Sequence, residues 1–165
     1  GSLNARVLYN AKDAEMIQNG EQMPFKTRAL NLTAGLTTSL IPTVDVDYHL
    51  TWMRNTMKMQ RLGSSSTINS WKHEAKVHIP IVKLLSLETL AEYYHNQLSA
   101  DRFKDIFFAD ASLKLQLRRF DITLVLNNLL NRKTYAYALN SDLMHSTSSL
   151  LISGRELMIN IYYKL

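Results

Sequence analysis

Five histidines are the residues of this sequence with the most obvious chemical potential, because neutral imidazole is a common metal ligand. They are His49, His73, His78, His95 and His145. His73 and His78 are an odd number of positions apart, so their rings would lie on opposite faces of one strand. No pair of histidines therefore has the spacing of metal ligands, and the chain contains no cysteine that could supply a thiolate. We therefore expect no metal site.

Two acidic pairs suggest general acid–base chemistry instead: Asp45 with Asp47, and Glu88 with Glu92. That chemistry needs one carboxyl group whose pKa is raised by removal from water. Lys72, Lys76 and Lys114 share the same polar positions, which favours solvated, balanced charges. The chain also has no Gly-x-Ser-x-Gly elbow, phosphate-binding glycine loop or cysteine nucleophile. The sequence therefore predicts a protein that is not an enzyme and needs no cofactor.

The composition indicates one folded unit, or a segment of a larger one. The 165 residues are 46% hydrophobic and 20% charged, which argues against disorder. The net charge of +5 comes from interspersed basic and acidic residues, so we expect no nucleic-acid partner. No stretch approaches the roughly 18 apolar residues of a membrane-spanning helix, whereas a membrane β-strand needs only about 9–11 alternating residues.

Hydrophobic residues recur with a period of two, which is typical of β-strands. The alternating segments are Arg28–Leu40, Val44–Trp52, Trp71–Ile79, Leu85–Tyr93, Phe107–Leu117, Phe120–Leu126, Leu157–Leu165 and a shorter Leu3–Tyr9. Tight turns are predicted at 41–43, 80–84 and 118–119, and long loops at 10–25, 58–66, 97–104 and 132–153. We predict an all-β fold, an antiparallel up-and-down meander of seven to eight long strands. Short turns at one end and long loops at the other are typical of outer-membrane barrels.

The two faces of the predicted strands differ sharply. Counted from Leu30 in the first of these segments, the apolar face, which includes Leu30, Leu113, Leu124 and Ile159, contains no Asp, Glu, Lys or Arg. The charged face consists of the positions between them. In a membrane barrel the apolar face would contact lipid. A soluble lipocalin-like barrel would turn the same alternation inside out, and parity alone does not distinguish the two.

Aromatic residues fall into two groups along the strands. One group lies near the long-loop ends (Tyr48, Trp52, Trp71, Tyr93, Phe107 and Phe108), and the other lies toward the short turns (Phe120, Tyr162 and Tyr163). Two such bands fit the interfacial girdles of membrane barrels. The alternative explanation is the high β-propensity of aromatic residues.

The closing third of the chain contains an Asn-Asn-Leu-Leu-Asn run at the end of segment 120–131 and an alternating segment at 154–165. Segment 120–131 is similar to a strand near the end of TonB-dependent outer-membrane receptors. In the family an aromatic-rich loop and a terminal alternating strand follow, and Tyr135, Tyr137 and 154–165 occupy those places here. Leu130 and Leu165 stand where the family usually has aromatic residues. The resemblance covers about residues 85–165.

This resemblance implies energised import of a nutrient ligand across the outer membrane of a Gram-negative cell. The family has a barrel of about 22 strands with a plug in its lumen. Residues 1–165 would then be a single barrel segment from the C-terminal strands, without the N-terminal plug. The implied partners are outer-membrane lipid, the plug and TonB complex of the full-length protein, and an unidentified nutrient ligand. Tyr135, Tyr137 and His145 would be possible ligand contacts in the long loop.

Two other functions fit the same pattern. One is a complete eight-stranded outer-membrane barrel with a structural or adhesive role, and a signal peptide directly upstream of Leu3 would favour it. The other is a soluble lipocalin-like barrel, which solubility as a monomer without detergent would favour. An isolated set of strands with open edges and an apolar face is expected to close on itself, to self-associate or to need detergent.

Overall fold

The chain is almost entirely β-structure in a computed structural model that describes residues 1–18, 20–41, 43–59, 63–140 and 145–164. Within these residues it forms ten strands and no helix, so no membrane-crossing helix is found there. The strands are β1 (Ser2–Gln18), β2 (Glu21–Ile41), β3 (Val44–Met59), β4 (Ser64–Val82), β5 (Leu85–Ser99), β6 (Arg102–Gln116), β7 (Phe120–Asn127), β8 (Thr134–Asn140), β9 (His145–Leu151) and β10 (Glu156–Tyr163).

Eight of the strands form one sheet in the order β1-β2-β3-β4-β5-β6-β7-β10, and β8 and β9 form a separate two-stranded sheet. All of the pairings are antiparallel. The predicted antiparallel meander is therefore confirmed. No pairing joins β1 to β10 among the described residues, so the sheet is open and the predicted possibility of self-closure is not realised. A ladder between the 17-residue β1 and the 8-residue β10 would leave much of the β1 edge unpaired.

The register aligns the apolar positions of neighbouring strands. Leu113 on β6 is the cross-strand partner of both Leu87 on β5 and Leu124 on β7. Leu124 in turn pairs with Ile159 on β10. Leu30 occupies the same face of β2, opposite Tyr9 of β1. The apolar face is therefore continuous across all eight strands of the main sheet.

The strands extend further than the hydrophobic pattern indicates. The predicted loop 10–25 is wrong, because β1 and β2 remain paired as far as Gln18 and Glu21. The predicted loop 97–104 is also wrong, because β5 and β6 pair as far as Ser99 and Arg102. The ladder of backbone hydrogen bonds does not depend on apolar side chains. Polar residues can therefore continue a hairpin where both of its faces meet water.

The predicted loop 132–153 contains the β8–β9 hairpin, which folds over the main sheet instead of extending away from it. It contacts β3, β4, β5 and β6. The buried apolar side chains of the described residues are few and lie toward the hairpin-tip end of the main sheet, and they are Phe25, Met57, Ile68, Leu98 and Ile106. The small core of this chain therefore lies where the hairpin tips and the β8–β9 hairpin come together.

Candidate ligand-facing surface

Ion pairs cross the charged face between neighbouring strands. The Lys72 Nζ atom lies 2.6 Å from a Glu74 oxygen on the same strand and 2.8 Å from a Glu92 oxygen on β5. Lys164, directly after β10, pairs with Asp121 of β7 at 2.7 Å. These side chains are partly exposed, so each pair stabilises the fold by about 0–1 kcal/mol. The arrangement matches the predicted solvated and balanced charges.

Tyr94 extends this charged network toward the hairpin end of the sheet. Its hydroxyl donates a 3.0 Å hydrogen bond to Glu92 Oε1. The Lys72 ammonium lies 5.5 Å from the centre of the Tyr94 ring, a cation–π distance. One carboxylate, one ammonium and one phenol therefore converge at a single place on the charged face.

Hydrogen bonds hold the β8–β9 hairpin above this place. Asn96 of β5, only 5% exposed, donates from Nδ2 to the Ala136 carbonyl at 3.1 Å and more weakly to the Tyr135 hydroxyl at 3.4 Å. Thr147 of β9 donates from Oγ1 to the Leu98 carbonyl at 3.4 Å. The hairpin is therefore anchored through both of its strands to β5.

The hairpin brings four aromatic rings together as an aromatic cluster of Tyr94, Phe108, Tyr135 and Tyr137. The ring centres of Tyr94 and Tyr135 are 5.3 Å apart in an edge-to-face arrangement. Tyr137 stacks on Tyr135 at 5.7 Å, and Phe108 lies 6.0 Å from Tyr94. Such rings offer flat apolar surface beside the polar groups Lys72 and Glu92, a combination typical of small-molecule sites.

Two asparagines determine the backbone conformation where the chain leaves the main sheet after β7. Asn128 and Asn131 have φ values of 52° and 53°, in the left-handed region that asparagine tolerates better than most residues. The Asn128 side chain donates to the carbonyls of Arg132 at 2.6 Å and Ser153 at 2.8 Å, and it accepts from the Arg132 amide at 2.8 Å. Asn131 accepts from the Arg155 amide at 3.1 Å. Both side chains therefore satisfy backbone groups of the segments that flank the β8–β9 hairpin.

Of the three predicted ligand contacts, the structure brings Tyr135 and Tyr137 together. His145 begins β9, and its side chain lies outside what the structure describes. Sequence reasoning missed Tyr94 as their partner, and it assigned Phe108 to the interfacial girdle. Phe108 lies opposite Glu92 on the charged face, because it has the opposite parity from Phe107. An aromatic residue at a charged-face position was the signal that could have indicated this cluster.

The histidines are distributed as their parity predicted. His73 lies on the apolar face, where its Nδ1 atom is 2.7 Å from the Tyr48 hydroxyl. His78 lies on the charged face, 3.4 Å from Glu88. In the described parts of the chain, no group of three His, Cys, Asp or Glu residues is arranged to hold a metal ion. The charged face therefore presents polar and aromatic binding groups.

The apolar face contrasts with this ordered surface because large side chains on its edge strands β1 and β10 are open, whereas Leu30, Leu113 and Leu124 are half-buried. Ile159 is 61% exposed and Val7 is 68% exposed. Leu157 and Ile161, on either side of Ile159 in β10, are exposed to a similar degree. Contiguous apolar area of this extent is uncommon on the surface of a soluble monomer.

No protein-family model, curated protein or solved structure matches this chain. The architecture and the chemistry of its two faces are therefore the observations from which a function is inferred.

Proposed function

We propose that this chain forms part of the wall of an outer-membrane β-barrel of the TonB-dependent receptor type, which imports a nutrient ligand. The continuous apolar face is the observation that carries the proposal. An open sheet of long antiparallel strands with one apolar and one charged face suits a barrel wall between lipid and a wet lumen. Further strands of the same barrel would pair with the free edges of β1 and β10.

The height of the apolar face fits a bilayer. Leu30 and Leu40 are separated by roughly ten residue steps, or about 33 Å along an antiparallel strand. A strand tilt of about 40° reduces this to a vertical height of about 25 Å, which is the usual apolar band of outer-membrane barrels. The same number of steps separates Trp71 from Ile81 on β4.

Aromatic side chains lie at both margins of this band. At the hairpin end, the rings of Trp52 and Trp71 are 5.8 Å apart. At the short-turn end, Phe120 and Tyr163 are 5.1 Å apart. Just beyond the tryptophans, the same face carries Arg54. A sequence of apolar, aromatic and then charged residues is what a membrane–water interface selects.

The charged face would line the lumen, and the aromatic cluster with Lys72 and Glu92 would form part of the ligand surface. Support for energised uptake comes from the family resemblance of the closing third. The two segments that carry this resemblance, 120–131 and 154–165, contain β7 and β10, which pair directly with each other.

The membrane orientation is tested by Leu124→Asp and its matched control Thr123→Asp in the complete protein. Leu124 would meet lipid, where a charged side chain costs on the order of 2–4 kcal/mol near the midplane, with Asp toward the lower end. Thr123 would meet water. We expect Leu124→Asp to lower the yield of folded protein in outer membranes, measured by gel mobility with and without heating. Equal yields of the two variants would contradict the orientation.

Dependence on the TonB complex is tested separately, by cross-linking the complete protein to TonB in intact cells. We expect a cross-linked product that disappears when TonB is deleted. Its absence from a correctly inserted protein would overturn the receptor assignment and leave the barrel wall in place.

A further inference from the structure

A positively charged cavity lies on the apolar face beyond its aromatic margin. Its volume is about 520 Å³, and β1 to β4 all contribute to its lining. The lining includes Tyr9, Arg28, Leu30, Arg54, Thr56 and Lys58. Three of these side chains are cationic. In contrast, the apolar face carries no Asp, Glu, Lys or Arg between Leu30 and Leu40 or at the alternating positions of Val44–Trp52 and Trp71–Ile79.

These cations are incompletely neutralised. Arg28 Nη1 donates to Asp13 Oδ1 at 2.5 Å, and this contact holds the pKa of the Asp13 carboxyl below its ordinary value. Arg54 and Lys58 are exposed, and no carboxylate among the described residues pairs with either of them. The hydroxyls of Thr56 and Thr67, 3.1 Å apart, add hydrogen-bonding groups to the wall. The cavity therefore offers an anion several donors and a net positive charge.

An apolar groove of about 320 Å³ lies on the same face toward the middle of the band. Ala5, Val7, Leu32, Ala34, Leu50 and the two tryptophans, Trp52 and Trp71, contribute to its lining. Ala5 and Ala34 are cross-strand partners, and their small side chains leave the face concave there.

The groove and the cationic cavity are adjacent on three strands. Val7 of the groove precedes Tyr9 of the cavity by two residues, and Leu32 follows Leu30 by two. Trp52 and Arg54 have the same relation on β3. Residues two apart on a strand are neighbours on one face, so the two spaces meet end to end.

We propose that these two spaces together bind one phosphate-bearing membrane lipid. Its headgroup phosphate would contact Arg28, Arg54 and Lys58, and an acyl chain would lie in the groove beside Trp52 and Trp71. The inference rests on the proposed function, because the apolar face must contact lipid for the site to be reached. The groove favours a lipid over free phosphate, since inorganic phosphate has no apolar part to fill it.

Each cation near an anionic lipid headgroup strengthens binding by about fivefold. Removing Arg54 and Lys58 should therefore lower the preference for an anionic lipid strongly. Binding to neutral lipid should be unaffected, because the groove and the tryptophans remain.

The site is tested with the complete protein in phosphatidylcholine vesicles that contain brominated phosphatidylglycerol or, at equal mole fraction, brominated phosphatidylcholine. Bromine quenches tryptophan fluorescence on contact. The signal of Trp52 and Trp71 is isolated by subtracting the emission of a Trp52→Phe/Trp71→Phe variant. We expect several-fold stronger quenching by the anionic lipid in the unmodified protein and a much smaller difference in Arg54→Gln/Lys58→Gln, which keeps Arg28 with its Asp13 partner. The control Lys76→Gln/Lys114→Gln, on the charged face, should keep the preference.

The outcomes separate the two proposals. Equal quenching of the unmodified protein by both lipids would overturn the anionic lipid site while the membrane wall stands. Quenching by neither lipid would contradict the membrane wall itself. Loss of the preference on adding inorganic phosphate, but not chloride at the same ionic strength, would show that the cavity takes free phosphate and overturn the lipid assignment.

Discussion

The two faces of the main sheet organise their side chains in opposite ways. On the charged face, Lys72 has two carboxylate partners, and Asn96 is buried under the β8–β9 hairpin. On the apolar face, Ile159 and Val7 are open, although they are the kind of side chains that soluble proteins bury. Polar side chains of the charged face are therefore paired within the chain, whereas apolar side chains at the edges of the other face are not covered by any described part of it.

This contrast also explains why the described core is so small. Phe25, Met57 and Ile106 are buried, but they lie toward the hairpin tips and not across the middle of the sheet. The strands are instead held by long backbone ladders. In a membrane such ladders are the main requirement, because an unpaired backbone group in hydrocarbon costs several kcal/mol. In the proposed barrel wall, the stability of the sheet would therefore depend on neighbouring strands and on lipid.

Among substitutions that remove ordered polar contacts, Asn128→Ala is expected to lower the stability of the fold the most. Asn128 is buried, and its side chain donates hydrogen bonds to the backbone on both sides of the β8–β9 hairpin, at Arg132 and Ser153. Alanine would leave these groups unpaired and would occupy a positive-φ position. We expect a loss of roughly 2–4 kcal/mol, measured as a lower urea midpoint of the complete protein in detergent micelles. Asn127→Ala, at the neighbouring position, should cost much less, and equal losses would contradict the assigned role.

A smaller effect is expected from Tyr135→Ala, which removes the central ring of the aromatic cluster. Tyr135 contacts Tyr94, Phe108 and Tyr137. Its loss should weaken docking of the hairpin by about 1–2 kcal/mol. Hydrogen exchange of the β8 and β9 amides should rise, while exchange in β6 and β7 stays constant. Tyr135→Phe keeps the ring and should behave nearly as the unmodified protein, and unchanged exchange in Tyr135→Ala would argue against docking through this ring.

The arrangement of the main sheet was predictable because parity and turn spacing determine it locally. Leu113, Leu124 and Ile159 could be placed on one face from alternation alone, and the register aligns them. The extent of β1 and β2 beyond the band could not be predicted, since polar residues paired in water show no alternation. The aromatic cluster also depends on how a distant hairpin folds back. Tyr94 and Tyr135 are far apart in sequence, and no local pattern records their contact.

The smallest expected effect concerns the polar margin of the apolar face, where Asp105 accepts hydrogen bonds from His95 Nδ1 at 2.5 Å and the Tyr93 hydroxyl at 3.0 Å. These bonds, chiefly the one from His95, hold the pKa of the Asp105 carboxyl below its ordinary value. A carboxyl group with a lowered pKa in the folded state stabilises the fold above its ordinary pKa, and this contribution is lost as the pH falls through the lowered value. Asp105 is exposed, so the effect should be a small fall in the urea midpoint as the pH drops below about 4.

Asp105→Asn should remove this part of the pH dependence and lower the midpoint slightly at neutral pH. Asp101→Asn is the matched control, because Asp101 lies at the nearby hairpin tip and has no hydrogen bond or ion pair among the described contacts. The two variants and the unmodified protein would be compared by urea titration at neutral pH and below pH 4. If Asp105→Asn keeps the full acid dependence of the unmodified protein, then the carboxyl does not couple to His95 and Tyr93. The side chains of this margin would then contribute no ordered hydrogen bonds to stability. The two faces would in that case differ in hydrophobicity but not in the ordering of their polar groups at this margin.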